Sequence, residues 1–176
     1  MISNKNIIGL SILLLGMVIS YSQSDTLPDD IWIEERIIRG RSMMPLLQPG
    51  QTIQALFGYY EHYPIQRDDV VLVRYAGNKN PLIKIVKGIP GDSLALAYSK
   101  SGWNIIVNGE PLLNSEGKKY NISGKGYKML SLYVRDYNGV IPKNTYLILG
   151  NDPTGSLDAT RFGLISKSNI IAKVKY

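Results

Sequence analysis

The sequence predicts a mostly β protein. Short runs rich in Val, Ile and Leu recur along the chain and are separated by turns that contain Gly, Pro or Asn. Such runs, together with twelve Tyr residues, are typical of strands. The sequence shows neither an internal repeat nor a long amphipathic helical pattern. Its 176 residues suit one domain with a single core.

Short apolar runs and one turn signal locate the predicted strands and loops. Val70-Val71-Leu72-Val73 is a continuous apolar run, as expected for a buried strand. Asn108-Gly109 between two apolar runs is the strongest short signal for a hairpin. The polar segment 114–128, rich in Gly and Lys, is predicted as a mobile loop. The other predicted strands are 31–38, 82–86, 93–98, 103–107, 111–113, 130–134, 145–149 and 170–174.

An apolar segment, residues 7–21, precedes these strands and contains no charged residue. As a helix it would span about 22 Å, which is short of the roughly 30 Å hydrocarbon core of a bilayer. Two interpretations remain open, a short membrane anchor and the apolar part of a signal peptide that is removed. We therefore predict an apolar helix within residues 1–22, a linker at 23–30 and an extracytoplasmic β-domain at 31–176.

The composition excludes several kinds of chemistry. The chain has no Cys, which rules out thiol catalysis and disulfides, and His62 is its only histidine. A Ser-His-Asp triad would have to use that residue, and a zinc site would consist mostly of carboxylates, which is unusual. The net charge of +6 comes from scattered Lys and Arg, a pattern that does not indicate nucleic-acid binding. We expect no cofactor and no metal.

Ser42 lies in a stiff loop that extends from Gly40 to Gly50. Pro45 and Pro49 restrict the backbone, which favours a rigid loop rather than a helix. A serine held on such a loop is suited to act as a nucleophile if a base can reach it. The alternative is an ordinary turn serine, since turns favour this residue.

Lys84 interrupts the apolar strand 82–86. Because strand side chains alternate, it shares a face with Leu82 and Val86. Lysine is rarely buried unless it is paired or has a function. The alternative is a lysine on an edge strand that faces water and prevents aggregation.

Four segments together resemble the bacterial type I signal peptidases, which are serine proteases with a Ser/Lys dyad. Ser42–Pro45 resembles the family's Ser-Met-x-Pro box, and Lys84–Asp92 resembles its Lys-Arg-Val-Val-Gly-x-Pro-Gly-Asp box. Arg67–Val71 and the turn-rich stretch Gly150–Gly163 resemble two further boxes. The resemblance covers roughly residues 36–165, in the family's order and at its spacing.

The resemblance implies a role for each matching residue. Ser42 is expected to be the nucleophile and Lys84 the general base. Ser156 is expected to orient that lysine through a hydrogen bond, and Asp158 to belong to a structural salt bridge. The implied fold is an all-β catalytic core with an inserted, more variable β region, here at about 100–143. Burial among apolar neighbours would lower the pKa of Lys84, as a neutral base requires.

The implied substrates are the signal peptides of exported preproteins, cleaved after small residues at the −1 and −3 positions. By match, the shallow apolar pockets for these residues would include Ile38, Met43, Leu47 and Ile83. The other expected partner is membrane lipid. The resemblance implies a single-pass protein of the bacterial cytoplasmic membrane, with its catalytic domain on the extracytoplasmic side.

The chain also departs from the family pattern. Leu46 replaces a usual Thr, Ile85 replaces a usual Arg, and Arg161 stands one place late in the closing box, so the Asp–Arg salt bridge is expected to be shifted or lost. Gly40 stands where some members carry a hydroxyl, which leaves the Ser42 N–H as the expected oxyanion donor. Two alternatives therefore stay open, a processing peptidase specialised for pilins or conjugation, and a catalytically silent β-domain that binds exported chains.

Overall fold

The computed structural model describes residues 27–75, 80–122 and 124–176, and the predicted N-terminal apolar helix lies outside them. No helix within these ranges is long and apolar enough to cross a membrane. Most of the regular structure is strand, so the predicted mostly β fold is confirmed. The strands are β1 (Trp32–Ile37), β2 (Thr52–Phe57), β3 (Val70–Val73), β4 (Leu82–Gly88), β5 (Leu94–Ser99), β6 (Gly102–Val107), β7 (Glu110–Pro111), β8 (Asn121–Ile122), β9 (Thr145–Leu149), β10 (Ile165–Ser166) and β11 (Ile170–Lys175).

The larger sheet contains seven antiparallel strands in the order β1-β2-β11-β3-β4-β9-β10. Every residue of β3 is buried, as its continuous apolar run predicts. Strand β4 lies between β3 and β9, with Lys84 paired to Val71. The middle of this sheet therefore holds the strand that carries the candidate base.

The smaller sheet comprises β5, β6 and β7 in that order, and β8 also pairs with β6, on the edge opposite β5. Asn108 and Gly109 connect β6 to β7 with φ values of 51° and 85°, which confirms the predicted hairpin. This sheet begins at Leu94 and thus includes a strand that precedes the predicted insertion at 100–143. The domain boundaries remain a prediction.

Three α-helices and one 3₁₀ helix complete the described chain: α1 (Tyr59–His62), α2 (Lys125–Asp136), α3 (Ala159–Phe162) and the 3₁₀ helix Lys167–Asn169. The predicted strand 130–134 is wrong, because these residues belong to α2. Its apolar residues recur at helical spacing as Tyr127, Leu130 and Val134, and Leu130 is fully buried. The predicted loop 114–128 likewise contains β8 and the first turn of α2.

Strand β2 was not anticipated, although its alternating pattern of exposed and buried residues is that of a half-buried strand. It pairs with both β1 and β11. The apolar residues of β2, β3, β4 and β11 form one core cluster with three residues around the Ser42 loop, namely Ile38, Met43 and Leu47. A second cluster joins the smaller sheet and α2 to β9. The Ser42 loop and the smaller sheet are therefore both anchored on the main sheet.

Candidate active site

The loop that carries Ser42 connects β1 to β2 and is closed at its base by two backbone hydrogen bonds. Ile38 N–H donates to the Gln51 carbonyl at 2.9 Å, and Gly50 N–H donates to the Ile38 carbonyl at 2.8 Å. Met43 and Leu47 are buried, with exposed fractions of 2% and 0%. Apolar anchors on both sides of the turn therefore hold the half-buried Ser42 on a fixed backbone.

Lys84 reaches Ser42 from strand β4. Its side chain is among the largest fully buried ones of the described chain, with only 2% of its surface exposed. Lys84 Nζ lies 2.9 Å from Ser42 Oγ and donates a second hydrogen bond, also 2.9 Å, to the Ile83 carbonyl. It forms no ion pair with any residue that the structure describes. The structure thus brings together the hydroxyl and the amine that the sequence proposed.

Burial lowers the pKa of Lys84 to about 8, because the apolar surroundings disfavour the charged ammonium. The negative charge of Asp158 acts in the opposite direction and raises this pKa. A far larger share of the amine is therefore neutral near neutral pH than in an exposed lysine, and the neutral form predominates above about pH 8. At hydrogen-bond distance from a hydroxyl, such an amine can accept its proton.

Asp158 is buried at the N-terminus of α3, where it accepts hydrogen bonds only from uncharged groups of the described chain. Thr160 donates through its N–H at 3.0 Å and its hydroxyl at 2.8 Å, and Gly150 N–H donates at 2.9 Å. The Ser156 hydroxyl is the fourth donor. Within the described ranges Asp158 has no ion pair with Arg161, so Thr160 takes the place of the expected cationic partner.

Ser156 lies close to the site, but its hydrogen bond is to Asp158, whereas the prediction has it bonded to Lys84. Gly150 separates Ser156 from the Ser42 loop. A Cβ added at Gly150 would clash with Ser156 Oγ and would stand 2.7 Å from the Ser42 carbonyl oxygen. Only glycine fits between these two atoms. The orienting role of Ser156 stays a prediction.

Sequence reasoning did not single out Asn151, which follows Gly150 and is fully buried. Its N–H donates to the Ser42 carbonyl at 2.7 Å, and its side-chain Nδ2 donates to the Met44 carbonyl at 3.1 Å. The only sequence signal was its place in the turn-rich segment after a buried strand. That signal is weak, since turns commonly contain Asn.

A cleft of about 550 Å³ opens beside Ser42 and Lys84, between the end of β1 and the start of β4. Three of the four predicted substrate-binding residues line it, namely Ile38, Met43 and Ile83. The fourth, Leu47, is fully buried in the core and is not among the lining residues. Residues of segments 35–40 and 80–84 line the cleft, so an extended peptide bound there would lie beside both segments.

His62 belongs to α1, where its Nε2 lies 2.8 Å from an Asp30 carboxylate oxygen on the exposed surface. Among the described residues His62 forms no hydrogen bond with Ser42 or Lys84. Within residues 27–75, 80–122 and 124–176 there is no group of three or more His, Cys, Asp or Glu side chains that could hold a metal ion.

The chain is similar in sequence to known proteins over most of its length. The family model described as signal peptidase, peptidase S26, matches residues 8–176. Signal peptidase IB of Staphylococcus aureus (strain COL) is 32% identical over 151 residues, which cover 79% of this chain and 74% of that protein. Signal peptidase I of Bacillus caldolyticus is 28% identical over 144 residues, with 80% and 76% covered. The crystal structure of a signal peptidase I from Enterococcus faecalis V583 has a TM-score of 0.46 at 18% identity and covers 64% of this chain and 98% of that one.

Proposed function

This chain belongs to the signal peptidase family, peptidase S26, and we propose that it removes signal peptides with Ser42 as nucleophile and Lys84 as general base. Membership of this family makes the chain a serine peptidase that acts on preproteins carrying signal peptides. The observation that carries the residue assignment is the 2.9 Å contact between Lys84 Nζ and Ser42 Oγ, made by a lysine that is 2% exposed.

The proposed reaction begins when the neutral amine of Lys84 accepts the Ser42 hydroxyl proton. Oγ then attacks the scissile carbonyl carbon, and the carbonyl electrons move onto oxygen. Collapse of this intermediate breaks the C–N bond, and the Lys84 ammonium gives its proton to the leaving amine. Water, activated by the same amine, hydrolyses the ester. Lys84 alone can therefore serve as the base and the acid of every step, because it regains its neutral form when it protonates the leaving amine.

The Ser42 N–H is the proposed donor to the oxyanion. No described residue accepts a hydrogen bond from it, so it is available to a substrate. One such donor is typically worth about 3 kcal/mol of transition-state stabilisation. A Cβ at Gly40 would meet no atom within 4 Å, so Gly40→Ser can be introduced to add a hydroxyl donor without a clash.

The proposed substrate lies extended in the cleft, with its backbone beside segments 35–40 and 80–84. Ile38, Met43 and Ile83 narrow the cleft, which favours small residues at the −1 and −3 positions. Leu47 supports the same wall from beneath, since it packs in one cluster with Ile38 and Met43. A model preprotein with Leu in place of Ala at −1 should therefore be cleaved far more slowly than the parent.

We also propose that residues 7–21 anchor the chain in the bacterial cytoplasmic membrane, with the catalytic part on the extracytoplasmic side. The support for this proposal is the uncharged apolar character of that segment. Resistance of the protein to carbonate extraction, together with protease access from outside, tests it. A purified chain that begins near Gln23 would show instead that the segment is removed.

The decisive experiment is cleavage of a model preprotein in detergent by the full chain and by Ser42→Ala. We expect this variant to lose cleavage and labelling by a serine-directed penem, while its fold is retained. Ser131→Ala is the matched control, because the Ser131 hydroxyl donates to the Lys128 carbonyl within its own helix and to no other residue that the structure describes. Undiminished cleavage by Ser42→Ala would rule out the assigned nucleophile. A wild type that neither cleaves nor reacts with the penem would indicate a silent binding domain, whereas one that is labelled but does not cleave would indicate a peptidase specialised for other substrates.

A further inference from the structure

Asn151 links two parts of the chain that lie far apart in sequence. It is fully buried. Its side-chain oxygen and nitrogen, its backbone N–H and its backbone carbonyl all form hydrogen bonds. Its Oδ1 accepts the Ser115 N–H at 3.0 Å, while Nδ2 donates to Ser115 Oγ at 2.7 Å and to the Met44 carbonyl at 3.1 Å. Buried amides that satisfy all their positions fix their neighbours in one arrangement.

On one side, Asn151 holds the backbone of the nucleophile loop. Its N–H bonds the Ser42 carbonyl at 2.7 Å, and its side chain bonds the Met44 carbonyl, two residues further on. These contacts fix the Ser42–Met43 and Met44–Pro45 peptide units. The position of Ser42 Oγ follows from that backbone, so a shift in these carbonyls would move the nucleophile away from Lys84.

On the other side, Asn151 is held by the turn 114–118, which belongs to the inserted region. Asn114 is 6% exposed, and its Nδ2 donates to the Asn151 carbonyl at 3.0 Å. The Oδ1 of Asn114 accepts the N–H groups of Glu116 and Lys118, both at 2.9 Å, so the turn is itself fixed. Close by, the Tyr120 hydroxyl donates to the Gly150 carbonyl at 2.6 Å.

We propose that Asn151 is a positioning residue through which the turn 114–118 holds the nucleophile loop in its reactive geometry. The inserted region thus supports catalysis without touching the substrate. An amide is needed at this position because it must accept from the Ser115 N–H and donate to the Met44 carbonyl at the same time. A carboxylate lacks the donor and would face that carbonyl with a lone pair. The inference rests on the assignment of Ser42 as nucleophile.

The test uses the full chain in detergent with the variants Ser115→Ala and Asn151→Asp. Ser115 is exposed and does not touch Ser42 or Lys84, so its replacement leaves the fold intact and adds no charge. We expect Ser115→Ala to lower kcat about 3- to 10-fold, the range of one neutral hydrogen bond, with little change in KM. Asn151→Asp should lower kcat about 100-fold, as small misplacements of reacting groups do. Both are measured on the alkaline plateau, where the protonation of Lys84 does not enter.

Asn121→Asp is the matched control. The Asn121 amide also lies in the inserted region and donates to Ser99 Oγ and Asn104 Oδ1, but it does not contact the nucleophile loop. The Asn121→Asp variant should keep the kcat of the wild type even if its Tm is lower. Ser115→Thr, which retains the hydroxyl, should restore the kcat lost in Ser115→Ala.

Amide hydrogen exchange of residues 41–47 gives a second readout that does not depend on which residue is the nucleophile. Exchange there should be faster in Asn151→Asp and Ser115→Ala than in Asn121→Asp. Equal exchange and equal kcat in the three variants would overturn the positioning role. Retained cleavage by Ser42→Ala, with faster exchange in the first two variants, would instead overturn the nucleophile and leave the coupling in place.

Discussion

The two lysines of strand β4 have opposite electrostatic surroundings. Lys84 is buried beside a hydroxyl and a carbonyl, and no described carboxylate forms an ion pair with it. Lys87, three residues on, has its Nζ 2.6 Å from an Asp68 carboxylate oxygen. An ion pair stabilises the charged form of lysine, whereas burial without one favours the neutral amine. One strand therefore carries a structural cation at its end and a candidate base near its start.

The buried aspartates near these lysines differ in the same way. Asp92, at the end of the Lys84–Asp92 box, accepts from the Arg67 guanidinium at 2.7 Å. Asp158 is bonded only to uncharged donors of the described chain. Its charge is therefore not neutralised and reaches Lys84, whose pKa it raises against the effect of burial. Away from the site the buried carboxylates of Asp92 and Asp69 are paired with cations, whereas Asp158 at the site has no ion-pair partner among the described residues.

The largest expected effect separates the two lysines directly. Lys84→Arg should lower kcat/KM by about 10²- to 10⁴-fold, the usual contribution of a general base, because arginine stays protonated at any usable pH. Lys87→Arg should stay near the wild-type value, because arginine also pairs with Asp68. The measurement is cleavage of a model preprotein by equal amounts of folded enzyme.

Replacing each lysine by alanine removes the remaining ambiguity. Lys87→Ala should keep the acid limb of the pH profile where it is, whereas Lys84→Ala should be inactive. If Lys87→Ala loses activity and Lys84→Ala keeps it, the assignment of the base is wrong and the match to the Lys84–Asp92 box is out of register.

The next effect concerns the pH dependence of kcat/KM. The base works only when deprotonated, so kcat/KM should rise with pH and level off above about 8, the pKa to which burial lowers Lys84. The carboxylate of Asp158 favours the ammonium form. Asp158→Asn removes that charge, so the pKa of Lys84 should fall further and the acid limb should move to lower pH.

The position of this limb does not depend on the active fraction, so a loss of stability in Asp158→Asn does not obscure the result. Asp92→Asn is the control, because Asp92 is paired with Arg67 and is not among the charges that shift the pKa of Lys84. A limb that stays in place in Asp158→Asn, or that moves equally in Asp92→Asn, would contradict the electrostatic link.

The third effect is on the free energy of unfolding and comes from Asp92, the buried carboxylate that is paired with Arg67. Burial raises the pKa of Asp92, but hydrogen bonds from the Ile89 N–H, Asn108 and Arg67 together lower it below its ordinary value. Because the folded-state pKa is the lower one, this stabilisation is present above the unfolded pKa near 4 and is lost as pH falls through the folded pKa. Asp92→Asn should cost about 1–3 kcal/mol of unfolding free energy at neutral pH and remove this acid-dependent part.

Denaturant unfolding between pH 3 and 7 measures this difference. Asp136→Asn is the matched control, since Asp136 also bonds an arginine, its neighbour Arg135, but on the exposed surface. Exposed pairs contribute little, so the control should unfold like the wild type. Equal losses in the two variants would show that burial of Asp92 does not strengthen its pair with Arg67.

Sequence reasoning succeeded where the signal was local or followed a known motif. The buried strands β3 and β9 coincide with continuous apolar runs, and the Asn108-Gly109 hairpin follows from the backbone that these residues adopt. The Ser42 and Lys84 boxes were recognisable because each lies on a short stretch of fixed pattern. Neither box alone predicts that the two side chains meet across 42 residues of sequence.

Other features were missed because their cause lies in tertiary packing. Residues 130–134 are mostly apolar and end in Tyr133 and Val134, two residue types common in strands, but the whole of α2 buries its apolar stripe against the smaller sheet. Asn151 has partners 36 and 107 residues away, so no local pattern indicates its role. The replacement of a cationic partner of Asp158 by Thr160 likewise appears only when the helix cap is seen.

The smallest expected effect is that of Arg161→Ala. Arg161 is exposed, and its side chain forms no ion pair with a residue that the structure describes. Stability should change by no more than about 0.5 kcal/mol, as for other surface substitutions, and kcat/KM should stay within about twofold. Thr160→Val is the contrasting variant, because it keeps the shape of Thr160 but removes the hydroxyl that donates to Asp158 at 2.8 Å. Thr160→Val should measurably lower the free energy of unfolding, because one oxygen of the buried Asp158 carboxylate loses a hydrogen-bond donor. If Arg161→Ala is the more damaging of the two, the charge of Asp158 is balanced by Arg161 in solution, and the contrast between the paired and unpaired carboxylates does not hold.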